Sequence, residues 1–196
     1  MRRQLRLLVA LLVLAVFPAA GGASPPDGYM SSADPVIVAG SGGSVIGTGY
    51  HVTLRNSGGI PLPGHNVELY FTGSGFGPYA AQDSGTTVDC ATRMASRNTD
   101  FYGVATFYLR AGGFENGATV QVRGQGVLIA TIPARSTDLN ADGTTDIQDV
   151  ARFRENLVGN RRAPETDFNL DGVTDIRDLA VLRSELVSGA RGEICP

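Results

Sequence analysis

One stretch of this chain is written twice. Asp138–Val158 recurs 29 positions later as Asp167–Val187, the first copy opening DLNADGTTDIQD and the second DFNLDGVTDIRD. Each copy puts oxygen-bearing side chains at positions 1, 3, 5, 9 and 12 of a twelve-residue stretch, with Gly at position 6. So regular a spacing of short acidic side chains suits neither a strand nor a helix interior. It suits a loop wrapped around a hard cation, which takes about six to eight oxygens and needs a sharp turn at its sixth residue.

In the first loop Asp138, Asn140 and Asp142 hold positions 1, 3 and 5, Thr144 offers its carbonyl at position 7, Asp146 stands at 9 and Asp149 at 12. Asp167, Asn169, Asp171, Val173, Asp175 and Asp178 hold the same places in the second. The pattern predicts two Ca²⁺ ions, one per loop, with folding linked to calcium because four carboxylates in each loop repel one another without it. Position 12 is Asp, shorter than the Glu common in such loops, and it opens a helix, where a negative side chain suits the dipole. Each loop runs into an amphipathic pattern. Ile147, Val150, Phe153, Leu157 and Val158 mark one face of the first helix, and Ile176, Leu179, Leu182, Leu186 and Val187 repeat those offsets. No helical pattern precedes the first loop, so the unit is loop–helix.

A duplicated loop–helix calcium unit with Asp at position 12 resembles a type I dockerin module, and residues 138–187 carry the whole resemblance. The resemblance implies the ligand set above, position by position. It also implies an extracellular protein that docks onto a cohesin-like or other extracellular domain, as in polysaccharide-degrading assemblies. Cellulosomal dockerins often carry a hydroxyl pair at loop positions 10 and 11, where this chain has Ile147-Gln148 and Ile176-Arg177. Ile147 and Ile176 are therefore open to two readings, core residues or an altered recognition face. Arg154 and Arg183, equivalent between the copies, are read as solvated.

The chain begins with Arg2, Arg3 and Arg6, an eleven-residue apolar run from Leu7 to Phe17, and small residues up to Ala23. Too short to span a bilayer, the run predicts a secretory signal peptide over 1–23 and no stable membrane insertion afterwards. Its removal takes the net charge from −3 to −6, and eight of the nineteen acidic residues sit in the two loops. Acidity so placed points to metal and away from nucleic acid. The expected location is secreted, with cell-surface association as a variant. Cys90 and Cys195 are the two cysteines; in an exported chain they form one disulfide or stay free for intermolecular pairing.

Residues 24–34 are rich in Pro, Ser and Gly and read as a flexible lead-in. From 35 to 132 short β-prone runs alternate with turn residues. The runs are Val36–Ala39, Tyr50–Arg55, Asn66–Thr72, Thr86–Thr92, Val104–Arg110, Ala118–Arg123 and Val127–Ile132. Within them Val67, Leu69 and Phe71 alternate with Asn66, Glu68 and Tyr70, the pattern of a strand with one buried face. About seven such runs at close spacing predict an immunoglobulin-like β-sandwich. The turns Ser57-Gly58-Gly59-Ile60-Pro61-Leu62-Pro63-Gly64 and Thr99-Asp100-Phe101-Tyr102-Gly103 resemble those of the bacterial immunoglobulin-like repeats of the invasin and intimin class.

Thr72–Ser84 is longer and more Gly-rich than a turn needs and reads as a variable loop, with a functional loop as the alternative. Residues 133–137 read as a linker, 138–190 as the calcium module and 191–196 as a tail. The fold class is thus mainly β plus a small α part: a β-sandwich followed by a pair of calcium loop–helix units.

Catalytic machinery is not evident. His51 and His65 read as exposed strand or turn residues, and no G-x-S-x-G motif is present. Carboxylates outside the loops are sparse, and Tyr70, Tyr79, Tyr102 and Tyr108 read as core or rim packing residues, with a sugar-stacking platform as the alternative. The expected function is calcium-dependent docking without catalysis. Two alternatives remain: a structural protein rigidified by calcium, and a carbohydrate-binding or polysaccharide-acting β domain delivered by the module.

Overall fold

The computed structural model describes residues 24–44, 49–73, 75–113, 117–159, 163–186, 192, 193 and 195. Residues 1–23, expected from the sequence to be a signal peptide, and Val187 lie outside them. Among the described residues the protein is mainly β, with several sheets and two helices. In chain order the strands are β1 Ser32–Ala33, β2 Ile37–Gly40, β3 Gly43–Ser44, β4 Tyr50–Thr53, β5 Asn66–Phe71, β6 Phe76–Pro78, β7 Thr87–Asp89, β8 Met94–Asn98, β9 Val104–Phe107, β10 Ala111–Gly113, β11 Thr119–Gly124 and β12 Val127–Ser136. Helices α1 (Ile147–Gly159) and α2 (Ile176–Leu186) follow.

Seven strands form one sheet in the order β3-β2-β12-β11-β5-β8-β7; β1-β4-β9 form a second and β10-β6 a third. One apolar cluster is shared by the first two, with Tyr50, Val52, Ala105 and Phe107 from the three-stranded sheet meeting Val67, Leu69, Val120 and Val122 from the seven-stranded one. Two sheets over one core are compatible with a β-sandwich. The alternation seen in the sequence places Val67, Leu69 and Phe71 inside, while Asn66, Glu68 and Tyr70 stay half-buried. Each fully buried large apolar side chain contributes about 1.5–3 kcal/mol, so this shared layer dominates the favourable side of folding.

The two turn signatures meet in space. Thr99 accepts the His65 N–H at 3.0 Å through its hydroxyl, which itself donates to the Leu62 carbonyl. Asp100 accepts the N–H groups of Tyr102 and Val104. Gly103 closes the turn at φ 76°, and a Cβ there would strike the Leu54 carbonyl.

Three expectations need correction. The lead-in 24–34 is built into the fold: Asp27 caps a turn through the N–H groups of Tyr29 and Met30, and β1 pairs antiparallel with β4. Residues 133–137 are not a free linker, because β12 runs on through Ser136. Its first half pairs with β11, and its second half pairs in parallel with β2, Ala134 opposite Ile37. His65 is buried and His51 half-buried, its ring Nδ1 lying 3.0 Å from the Asp34 carboxylate. The sequence reading also passed over β8, whose residues MASRN carry little apolar signal although Ala95 is fully buried between β5 and β7.

The helices pack through a second cluster of Leu139, Phe153, Phe168 and Leu182, and Val38 of β2 joins it. Phe153 and Phe168 stack with centroids 6.1 Å apart. The predicted helix stripe divides here. Phe153 and Leu182 are buried, but Ile147, Val158 and Ile176 face solvent. Two neighbouring helices that meet each other and Val38 cover only a narrow seam, so a broad apolar stripe is half left outside.

Cys90 and Cys195 form a disulfide across a sequence separation of 105. Among the described residues no helix is long and apolar enough to cross a membrane.

Candidate metal centre

Both loops fold the same way, down to single hydrogen bonds. In the first, Asp138 Oδ1 accepts the Asp142 N–H at 3.2 Å and Oδ2 accepts that of Gly143 at 3.1 Å. In the second, Asp167 Oδ1 and Oδ2 accept those of Asp171 and Gly172 at 3.1 and 2.9 Å. Asn140 and Asn169 each accept at Oδ1 the N–H two residues on, and donate to the neighbouring Asp142 or Asp171 carboxylate. Asp142 accepts the Thr144 N–H and Asp171 that of Val173, both at 3.0 Å. These local bonds draw the short side chains inward and leave the position-7 carbonyls as part of the turn.

Positions 9 and 12 form a reciprocal helix cap. Asp146 accepts the Gln148 N–H, and Asp149 Oδ2 accepts the Asp146 N–H at 2.7 Å. Asp175 and Asp178 repeat this with Arg177. Each Asp thereby satisfies N–H donors that the first turn of a helix leaves unpaired. The other oxygen of Asp149 accepts the N–H groups of Leu139 and Asn140, and that of Asp178 accepts those of Phe168 and Asn169. The position-12 side chain therefore ties the beginning of its loop to the start of its helix.

Gly143 and Gly172 take φ of 86° and 84°, as position 6 requires. Position 4 is also left-handed, with Ala141 at 62° and Leu170 at 60°. Nothing in the side chain of Ala or Leu announces that conformation, so the sequence reading missed it. It also missed a buried hydroxyl pair that closes each loop, Thr137 with Thr145 at 3.0 Å and Thr166 with Thr174 at 2.9 Å. The duplication carried the signal, since these threonines occupy equivalent positions in the two copies.

Counting only Asp, Glu, His and Cys side chains, no group of three converges on one point among the described residues. The ligand pattern also uses an amide oxygen and a backbone carbonyl in each loop, and its carboxylates are held by N–H donors. A carboxylate oxygen that accepts one N–H retains a lone pair, and the donor set is oxygen throughout, as a hard divalent cation prefers. Burial pushes the carboxyls of Asp138 and Asp178 above the usual range, and that of Asp149 up to about 6, with the Asp138 charge adding to the effect. A bound divalent ion would offset this cost. The residues present fit calcium in both loops.

The surroundings of the two loops differ. Tyr79, fully buried, donates its hydroxyl to Asp138 Oδ2 at 2.6 Å. Gly113 N–H bonds the Asp138 carbonyl at 2.9 Å, and Thr145 N–H bonds the Ser41 hydroxyl at 3.1 Å. From the disulfide-tethered tail, Gly192 N–H reaches the Gly143 carbonyl at 2.8 Å. Thr72–Ser84, read from the sequence as a variable loop, thus carries β6 and delivers Tyr79 to the first loop. Beside the second loop stands Arg135. Burial lowers its pKa, while the charges of Asp167 and Glu165 draw it back up.

No protein-family model, no curated protein and no solved structure matches the chain.

Proposed function

We propose that this chain is an exported, non-catalytic calcium-binding protein. In this reading its duplicated loop–helix unit, of dockerin-like type, docks onto another extracellular protein domain when calcium is bound, and an immunoglobulin-like β domain carries it. Sheet order supports the immunoglobulin-like assignment: an early strand, β2, lies parallel to the last one, β12, and the partner sheet is β1-β4-β9. The disulfide supports an oxidising location.

The observation that carries the docking reading is the exposure of Ile147 and Ile176, at 74% and 70%. They occupy position 10 of each loop, on the first turn of each helix. A large apolar side chain held out on a helix adds nothing to the core, and the same choice made twice favours a recognition role. Exposed Ala151, Arg154 and Val158 continue this face along α1 and line a groove of about 480 Å³. Ala180 and Arg183 are exposed at the matching offsets on α2.

The test is capture from the native extracellular protein pool with calcium and with EGTA. Capture is expected in calcium alone, and Ile147→Asp with Ile176→Asp is expected to abolish it. Those exposed substitutions should change folding stability by no more than about 0.5 kcal/mol. Calcium-dependent capture that survives the double substitution would sink the reading.

The depth to which the first loop is joined to the β domain favours a second role, a calcium clip that rigidifies the molecule. That role predicts a calcium-dependent rise in thermal midpoint with no captured partner.

A further inference from the structure

Tyr79 lies 59 positions before Asp138 and belongs to the β domain, yet its hydroxyl ends on the first-position carboxylate. The ring is held from both sides by glycine. A Cβ at Gly112 would collide with the Tyr79 hydroxyl and with Asp138 Oδ2, and one at Gly192 would run into the Tyr79 ring. Only backbone without side chains leaves room for an aromatic ring at this point. Among the described residues Asp138 Oδ2 is then engaged by two donors, Tyr79 O–H and Gly143 N–H, while Oδ1 accepts only the Asp142 N–H. The carboxylate is thereby oriented with one oxygen tied to protein and the other left with capacity for an ion. Among the described residues Asp167 accepts only the N–H groups of Asp171 and Gly172.

We propose that the first loop is a composite ion site completed by the β domain, with Tyr79 as the positioning residue for Asp138, so that the two loops bind calcium unequally. The inference rests on the calcium reading above. An outer hydroxyl that fixes a ligand's orientation typically changes metal affinity about 10- to 100-fold when removed. Tyr79→Phe keeps the ring that fills the space between the glycines and deletes only the donor. It leaves Asp138 Oδ2 with a single N–H donor, the number that Asp167 Oδ2 has among the described residues.

Calorimetric titration of the full chain with Ca²⁺ is expected to give two sites. In Tyr79→Phe one of them should weaken about tenfold while the other keeps its affinity. A spectroscopic arm reads position directly. The chain has six Tyr and no Trp, so Tb³⁺ bound in a loop is sensitised by tyrosine. Asp138→Ala is expected to remove most of that emission and Asp167→Ala to spare it, because Tyr79 touches the first loop. This comparison keeps Tyr79 intact and holds even if Tyr79→Phe does not fold. Equal loss of emission in the two Asp variants, or a Tyr79→Phe protein with both affinities unchanged, would overturn the composite site while leaving calcium binding in place. Failure of the wild-type chain to bind Ca²⁺ at all, or full binding by the Asp138→Ala, Asp167→Ala double variant, would instead overturn the calcium reading itself.

Discussion

The two loops of this protein share a hydrogen-bond scheme and differ in almost everything outside it. Within each, the same Asp, Asn and Gly positions make the same contacts. Outside, the first loop is joined to the β domain through Tyr79, Ser41, Gly113 and the tethered tail. The second has a guanidinium in its neighbourhood, from Arg135. A neutral hydroxyl orients a carboxylate without competing for its charge, whereas a nearby cation opposes the entry of a divalent ion. Duplication thus copies the oxygen-rich loop but not the field around it, and under the calcium proposal equivalent sequence does not imply equivalent affinity.

The largest expected effect comes from cutting the tether. Cys90→Ser with Cys195→Ser should lower unfolding stability by about 4 kcal/mol, given the long stretch of chain that the bridge closes. Because the tail reaches Gly143, ion affinity at the first loop should fall while the second loop holds. Chemical denaturation and calorimetry measure the two quantities, and an equal fall at both loops would erase the contrast.

A pH effect of intermediate size separates the position-12 residues. With calcium removed by EGTA, the raised carboxyls of Asp138, Asp149, Asp178 and Glu185 are costly in their charged forms, chiefly through burial. A carboxyl whose pKa is raised by folding opposes the fold while it stays charged. That opposition is lifted as pH falls through the raised value toward the ordinary carboxylate range. The ion-free protein should therefore melt about 5 °C higher near pH 5 than near pH 7.5. Carboxyl NMR should find Asp149 titrating at about 6, above Asp178. The reverse order would contradict the deeper seating of the first loop.

The smallest effect isolates one contact. Ser41→Ala leaves the buried Thr145 N–H without its acceptor and should cost about 1 kcal/mol. Thermal unfolding measures it, and the second loop's affinity should not move.

Much of the site was legible from one line of sequence, because Asx turns and glycine turns are local. Asp138 and Asp142 are four residues apart, and their contact needs no knowledge of the rest of the chain. Strands β5 and β11 were legible for a related reason, since a buried face imposes a period of two on Val67, Leu69 and Phe71. Strand β8 was not: its residues MASRN carry little apolar signal, and only the neighbours on either side make their segment a strand. Ile147 and Ile176 were legible as helical but not as exposed, because periodicity locates a face without saying what covers it.

By itself the sequence determined the oxygen-rich loops, their helices and the alternating strands, all of which follow from interactions between residues close in the chain. Only the tertiary structure decided that residues 133–136 are strand and not linker, that Cys90 meets Cys195, and that Tyr79 rests on Asp138. Those contacts join segments far apart in sequence, which no local pattern encodes, and the Tyr79 contact has room only because Gly112 and Gly192 carry no side chain.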